Sequence, residues 1–233
     1  MTTDTPVDEP VLDARGLYHI YREAGLETVA LRGAELSVGV GEWVSVKGPS
    51  GSGKSTLLNV LAGLLEPSGG QVIVDGRDIT RQSEAERAEL RRTRIGVVMQ
   101  RDNLHPLLTV AENVALPLDL AGVGRRARRA RVGELLERVG LSGRARNRPH
   151  QLSGGEAQRA AIAVAAGGHP LVLIADEPTG ELDEATAGEV LELLRELHAV
   201  DGTAIVTVTH NDAVAACADR RLGMRDGVLR HEG

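Results

Sequence analysis

Apolar positions along the chain fall into two recurring patterns. Short aliphatic, β-branched runs cover Glu42–Lys47, Gln71–Asp75, Arg94–Met99, Leu171–Ala175 and Thr203–Thr207, most of them bounded by Gly, Pro or Asp. Runs of this kind read as strands. Longer stretches with apolar residues at helical spacing lie between them, at Lys54–Leu65, Glu84–Arg92, Val110–Ala121, Arg125–Val139, Gly155–Ala166 and Glu184–Ala199. Strands alternating with helices predict an α/β fold with a mainly parallel sheet. From about Gln100 to Leu152 helical patterns follow one another with no strand, which predicts an α-helical subdomain inserted into that core. Leu12–Tyr21 and Thr28–Val40 predict an N-terminal antiparallel β-subdomain. The polar first ten residues are expected to be disordered, leaving 11–233 as a single domain.

Composition narrows this picture. Phe is absent and aromatics make up 1% of 233 residues, so the core is built from Val, Leu, Ile and Ala, which suits buried parallel strands covered by helices. The net charge of −6 argues against a dedicated nucleic-acid binder. No apolar run approaches the roughly 18 residues of a membrane span, and the start has no apolar signal region. The single cysteine, Cys217, fits a reducing compartment and is expected as a small buried hydrophobe in a helix. These features predict a soluble cytoplasmic domain whose membrane role, if any, is peripheral. His19, His105, His150, His169, His198 and His231 show no metal-ligand spacing, so no structural zinc is expected.

Gly48-Pro49-Ser50-Gly51-Ser52-Gly53-Lys54-Ser55 matches the phosphate-loop pattern G-x-x-x-x-G-K-[ST] in full, between the Trp43–Val46 run and the helix that Ser55 and Thr56 open. That context is what the motif requires. Glycines let backbone N–H groups converge on phosphate oxygens, and the helix N-terminus adds a favourable dipole. Lys54 is then placed for the β- and γ-phosphates and the Ser55 hydroxyl for Mg²⁺.

Other strand-like runs also end in polar groups: Ile95–Met99 at Gln100, Leu171–Ala175 at Asp176-Glu177, and Ala204–Thr209 at His210. Ligands of open α/β sheets bind beyond the carboxyl ends of the strands, so parallel neighbours would bring these groups to one crevice. Asp176 suits Mg²⁺, directly or through water. Glu177 suits accepting a proton from, or orienting, an attacking water. Gln100 suits the metal or that water, and His210 the γ-phosphate. Singly, each also reads as an ordinary turn or cap residue.

Leu152-Ser153-Gly154-Gly155-Glu156 opens a further helix. Ser153 and Glu156 have capping-box spacing, which leaves the two glycines unexplained. A helix start stripped of side chains is a second anion site.

From about Leu12 to Leu229 the chain resembles the ATP-binding cassette (ABC) superfamily. Leu152–Glu156 is similar to its signature sequence, and the phosphate loop, Gln100, Asp176-Glu177 and His210 match its remaining motifs in order. The resemblance implies a P-loop NTPase that binds ATP and Mg²⁺ (metal contacts Ser55, Gln100 and Asp176) and hydrolyses ATP with Glu177, His210 and Lys54. It implies a head-to-tail homodimer in which each phosphate loop faces Ser153-Gly154-Gly155-Glu156 of the other copy. Tyr21 looks like the aromatic that stacks on adenine, with Tyr18 a nearby rival, and Asp183 resembles the loop that links the two sites.

Gly48–Asn59, Asn103–Val114 and Asp176–Gly180 are similar to the branch serving lipoprotein release, macrolide efflux and cell division. What this implies is a transporter ATPase at the cytoplasmic face of the plasma membrane. It would drive a separate transmembrane permease, by export or mechanotransmission, through a coupling helix met by Arg101–Leu108. Val164 and Glu181 depart from the branch's usual arginine and small or amide residue, and Glu156 stands where many relatives carry Gln. The alternative is a soluble ABC ATPase of DNA repair or translation; that class usually carries paired cassettes or long insertions, which this chain lacks. Arg125, Arg126, Arg128, Arg129 and Arg131 are expected to form a solvated helix face balanced by Glu134 and Glu137, or else to meet lipid headgroups or nucleic acid.

Overall fold

A computed structural model describes residues 9–23 and 25–231. Residues 1–8 of the expected disordered start lie outside the described residues. In chain order the elements are β1 (Leu12–Glu23), β2 (Leu26–Val38), β3 (Trp43–Lys47), α1 (Lys54–Leu61), β4 (Gly69–Val74), β5 (Arg77–Asp78), α2 (Glu84–Thr93) and β6 (Ile95–Val98). There follow α3 (Val110–Leu120), α4 (Arg125–Arg138), two short 3₁₀ turns, α5 (Gly154–Ala165), β7 (Val172–Asp176), α6 (Glu184–Asp201), β8 (Ala204–Val208), α7 (Asp212–Ala216), β9 (Arg220–Arg225) and β10 (Val228–His231).

Two sheets form. The main one runs β10-β9-β3-β8-β7-β6, parallel except for the β9–β10 hairpin. Strands buried on both faces alternate their side chains between two cores. Val44, Val46, Val172, Ile174, Val206 and Val208 point to the layer made by α1 and the second sheet. Trp43, Leu173, Ala175 and Ile205 point to the layer of α3 to α6. The second sheet, β2-β1-β4-β5, is antiparallel.

Several elements differ from the sequence-based expectation. The 71–75 run pairs with β1 in the antiparallel sheet instead of joining the parallel one. Its pattern, with Val72 and Val74 buried and Gly70 and Gln71 exposed, marks a half-buried strand. The helix expected to reach Leu65 stops at Leu61, where Gly63 takes φ +64°, a conformation that ends helices readily only with glycine. β9 and β10 were not anticipated, because their charged residues hide the buried pair Leu222 and Met224. Cys217 caps α7 half-buried, with its thiol donating to the Ala213 carbonyl at 3.1 Å, and is not inside a helix. No helix among the described residues is long and apolar enough to cross a membrane.

Candidate nucleotide site

β3, β8, β7 and β6 are parallel neighbours in that order, so the chain leaves each of them at the same edge. The phosphate loop follows β3, His210 follows β8, Asp176 ends β7 with Glu177 next to it, and Gln100 follows β6. Register tightens the grouping, since Val46 and Asp176 both pair with Val208. The four groups share one edge of the sheet because the strand order is not the chain order.

Close packing dictates the glycines at both ends of the phosphate loop. A β-carbon on Gly48 would fall well inside 3.0 Å of the Met224 carbonyl oxygen of β9. One on Gly53, whose φ is +103°, would do the same to the Ala30 carbonyl of β2. The loop is therefore held between an element of each sheet. Lys54 Nζ donates to the carbonyls of Gly48 and Pro49 at 2.8 and 2.9 Å, so its charge already lies over the loop. Tyr21 shares a hydrogen bond with the Thr56 hydroxyl (3.3 Å) while its ring remains 38% exposed beside α1. His19, buried beneath it, packs edge-on at a centroid distance of 4.6 Å. Tyr18 is also exposed but packs over Gly33.

Asp176 is buried, and burial pushes its carboxyl above the usual range. A hydrogen bond from Ser55 opposes that shift, Glu177 adds to it, and Lys54 opposes it. Two oxygen ligands of the type Mg²⁺ prefers thus meet beside the phosphate loop, and the buried carboxylate is short of positive charge. The residues fit the ion.

Glu177 adopts φ +46°, a left-handed conformation that costs a non-glycine residue about 1–3 kcal/mol unless its surroundings enforce it. Here they do. Its backbone N–H donates to Val208. One carboxylate oxygen accepts from the Thr209 hydroxyl at 3.1 Å and the His210 N–H at 3.3 Å, and the other lies 2.7 Å from His210 Nδ1. Sequence reasoning missed Thr209 as a site residue. Its only signal was a polar β-branched residue closing an apolar strand one position before His210.

Gln100, Glu177, Gly154, Gly180 and Glu181 line one groove of about 740 Å³; Lys54, Ser55 and Tyr21 lie outside it. The loop after Gln100 is knitted by two asparagines. Asn103 exchanges hydrogen bonds with both backbone groups of Met99 (2.7 and 2.6 Å). Buried Asn113 accepts from His105 N–H at 2.6 Å and donates to carbonyls including that of Thr109. Leu107 stands 69% exposed at the tip.

Ser153 caps α5 in a reciprocal box with Glu156 (2.9 and 3.2 Å). Glu156 is held below the usual carboxylate range by the Ser153 N–H and then by Arg144. Gly155 receives a packing explanation that the sequence did not offer. A β-carbon there would collide with Cγ2 of Thr186 on α6, whereas one on Gly154 meets only Leu182 at 3.7 Å. Asp183 caps α6 by accepting from the N–H and hydroxyl of the same Thr186 (3.1 and 2.7 Å), which holds it below the usual range. No hydrogen bond among the described residues joins Ser153–Glu156 to the phosphate loop.

A phosphate loop, an acidic pair at the next strand but one, and a glycine-rich helix cap on an inserted helical layer define a P-loop ATP-binding domain. The chain belongs to the ABC transporter family, whose model matches residues 31–180. It is 46% identical, over 96% of its length and 98% of the relative's, to the lipoprotein-releasing system ATP-binding protein LolD 2 of Caulobacter vibrioides. An uncharacterized ABC transporter ATP-binding protein of Thermotoga maritima is 47% identical, over 86% of each chain. The macrolide export ATP-binding/permease protein MacB of Syntrophobacter fumaroxidans is 43% identical over 95% of this chain, which spans 31% of that larger protein. Among solved structures, the dimeric post-hydrolysis state of the cassette MJ0796 bound to ADP and Pi superimposes with TM-score 0.89 and 38% identity, covering 95% and 97% of the two chains. The cbiO1 subunit of the Clostridium perfringens cbiONQ transporter superimposes at 0.84 with 31% identity, over 97% and 88%. The mixed sheet, antiparallel N-terminal sheet and helical layer are those of the ABC ATPase fold.

Proposed function

We propose that this chain hydrolyses MgATP as the ATP-binding subunit of a transporter, and that closure of two copies over two ATP molecules moves a separate transmembrane permease. The observation that carries the reading is the Glu177–His210–Thr209 cluster beside the phosphate loop. It aims a carboxylate at the edge where the γ-phosphate would end, and hydrogen bonds from Thr209 and His210 hold it there.

Lys54, freed from its two carbonyls, turns to the β- and γ-phosphates, and the loop N–H groups take the remaining oxygens. Ser55, Asp176 and Gln100 would hold Mg²⁺, which would supply positive charge against the phosphoryl oxygens. Glu177 accepts the proton of the attacking water, and His210, already bonded to it, keeps the carboxylate oriented and meets the γ-phosphate. Tyr21 offers its exposed face to adenine. The second copy supplies Ser153, Gly154 and the start of α5 as a further anion cradle, and Asp183 lies in the loop linking the two sites.

The permease would dock in the groove lined by Gln100–Pro106, with Leu107 presented by the Asn113-braced loop. That places residues 11–233 at the cytoplasmic face of a membrane as one domain, with the 100–152 helical subdomain toward the permease. Contact with the bilayer would then be made through that subunit. The test is Ser153→Arg, which leaves ATP binding to a single subunit but abolishes hydrolysis. Full ATPase activity in that variant overturns the two-copy site.

A further inference from the structure

Three arginines at the start of α4 have no part in the site described above. Arg125, Arg126 and Arg129 are exposed and, among the described residues, meet no carboxylate. The nearby acids are engaged elsewhere. Asp119 pairs with Arg128, and Glu134 pairs with Arg131, whose guanidinium also donates to the Ala166 and Gly167 carbonyls. Glu137 lies about two turns beyond Arg129 and bonds to none of the three. Of the balancing expected from sequence, Glu134 meets Arg131, while neither it nor Glu137 reaches Arg125, Arg126 or Arg129.

This placement is locally unfavourable. α4 opens at Gly124 with no side-chain cap and no acid in its first turn, so the cations sit at the positive end of the helix dipole. Arg125 and Arg129 are also like charges one turn apart. An anionic partner would offset both effects. On the last turns of the preceding helix α3, Leu116 and Leu120 are 39% and 58% exposed, and the Arg128–Asp119 pair fastens the two helix ends together. Ala130, Gly133 and Glu134, the last paired with Arg131, line a shallow depression together with the three arginines.

We propose that this corner is a docking surface for anionic phospholipid, with the three arginines on headgroup phosphates and the leucines at the headgroup–acyl boundary. Charge complementarity selects the sign of the partner, and the exposed leucines of the α3 end, tied to α4 through Asp119 and Arg128, select a lipid surface. A single-stranded nucleic acid would call for aromatic stacking as well, and Tyr18, Tyr21 and Trp43 all lie on other elements. The inference rests on the reading that the chain works beside a membrane. It adds a direct contact to the indirect one, since α3, 11 residues or about 16 Å long, leads from the proposed permease loop to this corner.

Flotation of the whole chain with phosphatidylglycerol-rich vesicles, against pure phosphatidylcholine vesicles, tests it. Binding is expected to the first only, and to fade as salt rises. The triple change Arg125→Gln, Arg126→Gln, Arg129→Gln is expected to lower partitioning roughly a hundredfold with ATPase activity in solution unchanged. Leu116→Ser with Leu120→Ser should lower it by a smaller factor. Absence of wild-type binding, undiminished binding by the triple variant, or binding to an RNA oligonucleotide that replaces vesicle binding would each overturn the proposal. A wild-type chain that hydrolyses ATP but ignores vesicles refutes the lipid surface alone. One that floats but does not hydrolyse ATP refutes the proposed function instead.

Discussion

Thr186 and Gly155 fit together so that the methyl group of one occupies the space where a side chain on the other would begin. The hydroxyl of the same threonine donates to Asp183 at 2.7 Å, so α6, its capping aspartate and the start of α5 form one packed unit. Gly155→Ala should lower unfolding stability by about 1–3 kcal/mol through overpacking. Thr186→Ser removes the obstructing methyl and keeps the hydroxyl, so the double variant should recover most of the loss in denaturant titrations. If it does not, the contact is not the cause.

Glu177→Gln keeps the size and the hydrogen bonds from Thr209 and the His210 backbone but removes the base. Turnover should fall roughly 100-fold or more, and size-exclusion chromatography with ATP should show a persistent two-copy species. Hydrolysis at the native rate would remove Glu177 from the chemistry.

Asp176 gives a stability prediction with a defined sign. Its carboxyl titrates above the ordinary range because of burial, so the folded state holds the proton more tightly than the unfolded chain. The destabilisation is absent below the unfolded value, near pH 4, and grows to its full size as pH rises through the folded one. Asp176→Asn should therefore raise the Tm of the nucleotide-free protein at neutral pH, and the gap should close on acidification. The same variant should lose Mg²⁺-dependent turnover.

Tyr21→Ala should weaken ATP binding by about one order of magnitude, the scale of a lost base–aromatic stack. Tyr21→Phe should lose only the Thr56 hydrogen bond and bind nearly as well. A fluorescent ATP analogue reads both. An unaffected alanine variant would transfer the adenine contact to Tyr18.

Asn113→Ala leaves the nucleotide residues in place but unties the loop that ends in Leu107. Basal ATPase should stay close to wild type, while co-purification with the permease from membranes should decline. Equal loss of both would mean that the loop supports the fold rather than a partner.

The parallel strands were legible because each is apolar on both faces and stops at a residue type that chemistry singles out. β9 was not, since only Leu222 and Met224 report its burial and three arginines surround them. The phosphate loop was legible from local spacing alone. The bond between Glu177 and His210 spans 33 residues, and it depends on β7 and β8 pairing directly in parallel register, which no local pattern encodes. Gly155 is the instructive case. Its sequence neighbours suggested an anion cradle, and a threonine on another helix supplies a reason that holds with or without nucleotide.

Gly48 and Gly53 carry the same lesson into the history such a chain can have. Because Met224 and Ala30 press on them from both sheets, a descendant that had abandoned ATP would still be unable to replace them without repacking two strands. Those glycines are relics that outlast the activity. The perishable letters are Lys54, which bonds to carbonyls of its own loop, and the exposed His210; Glu177, which satisfies the hydroxyl of buried Thr209, would drift later in a cassette that had fallen silent.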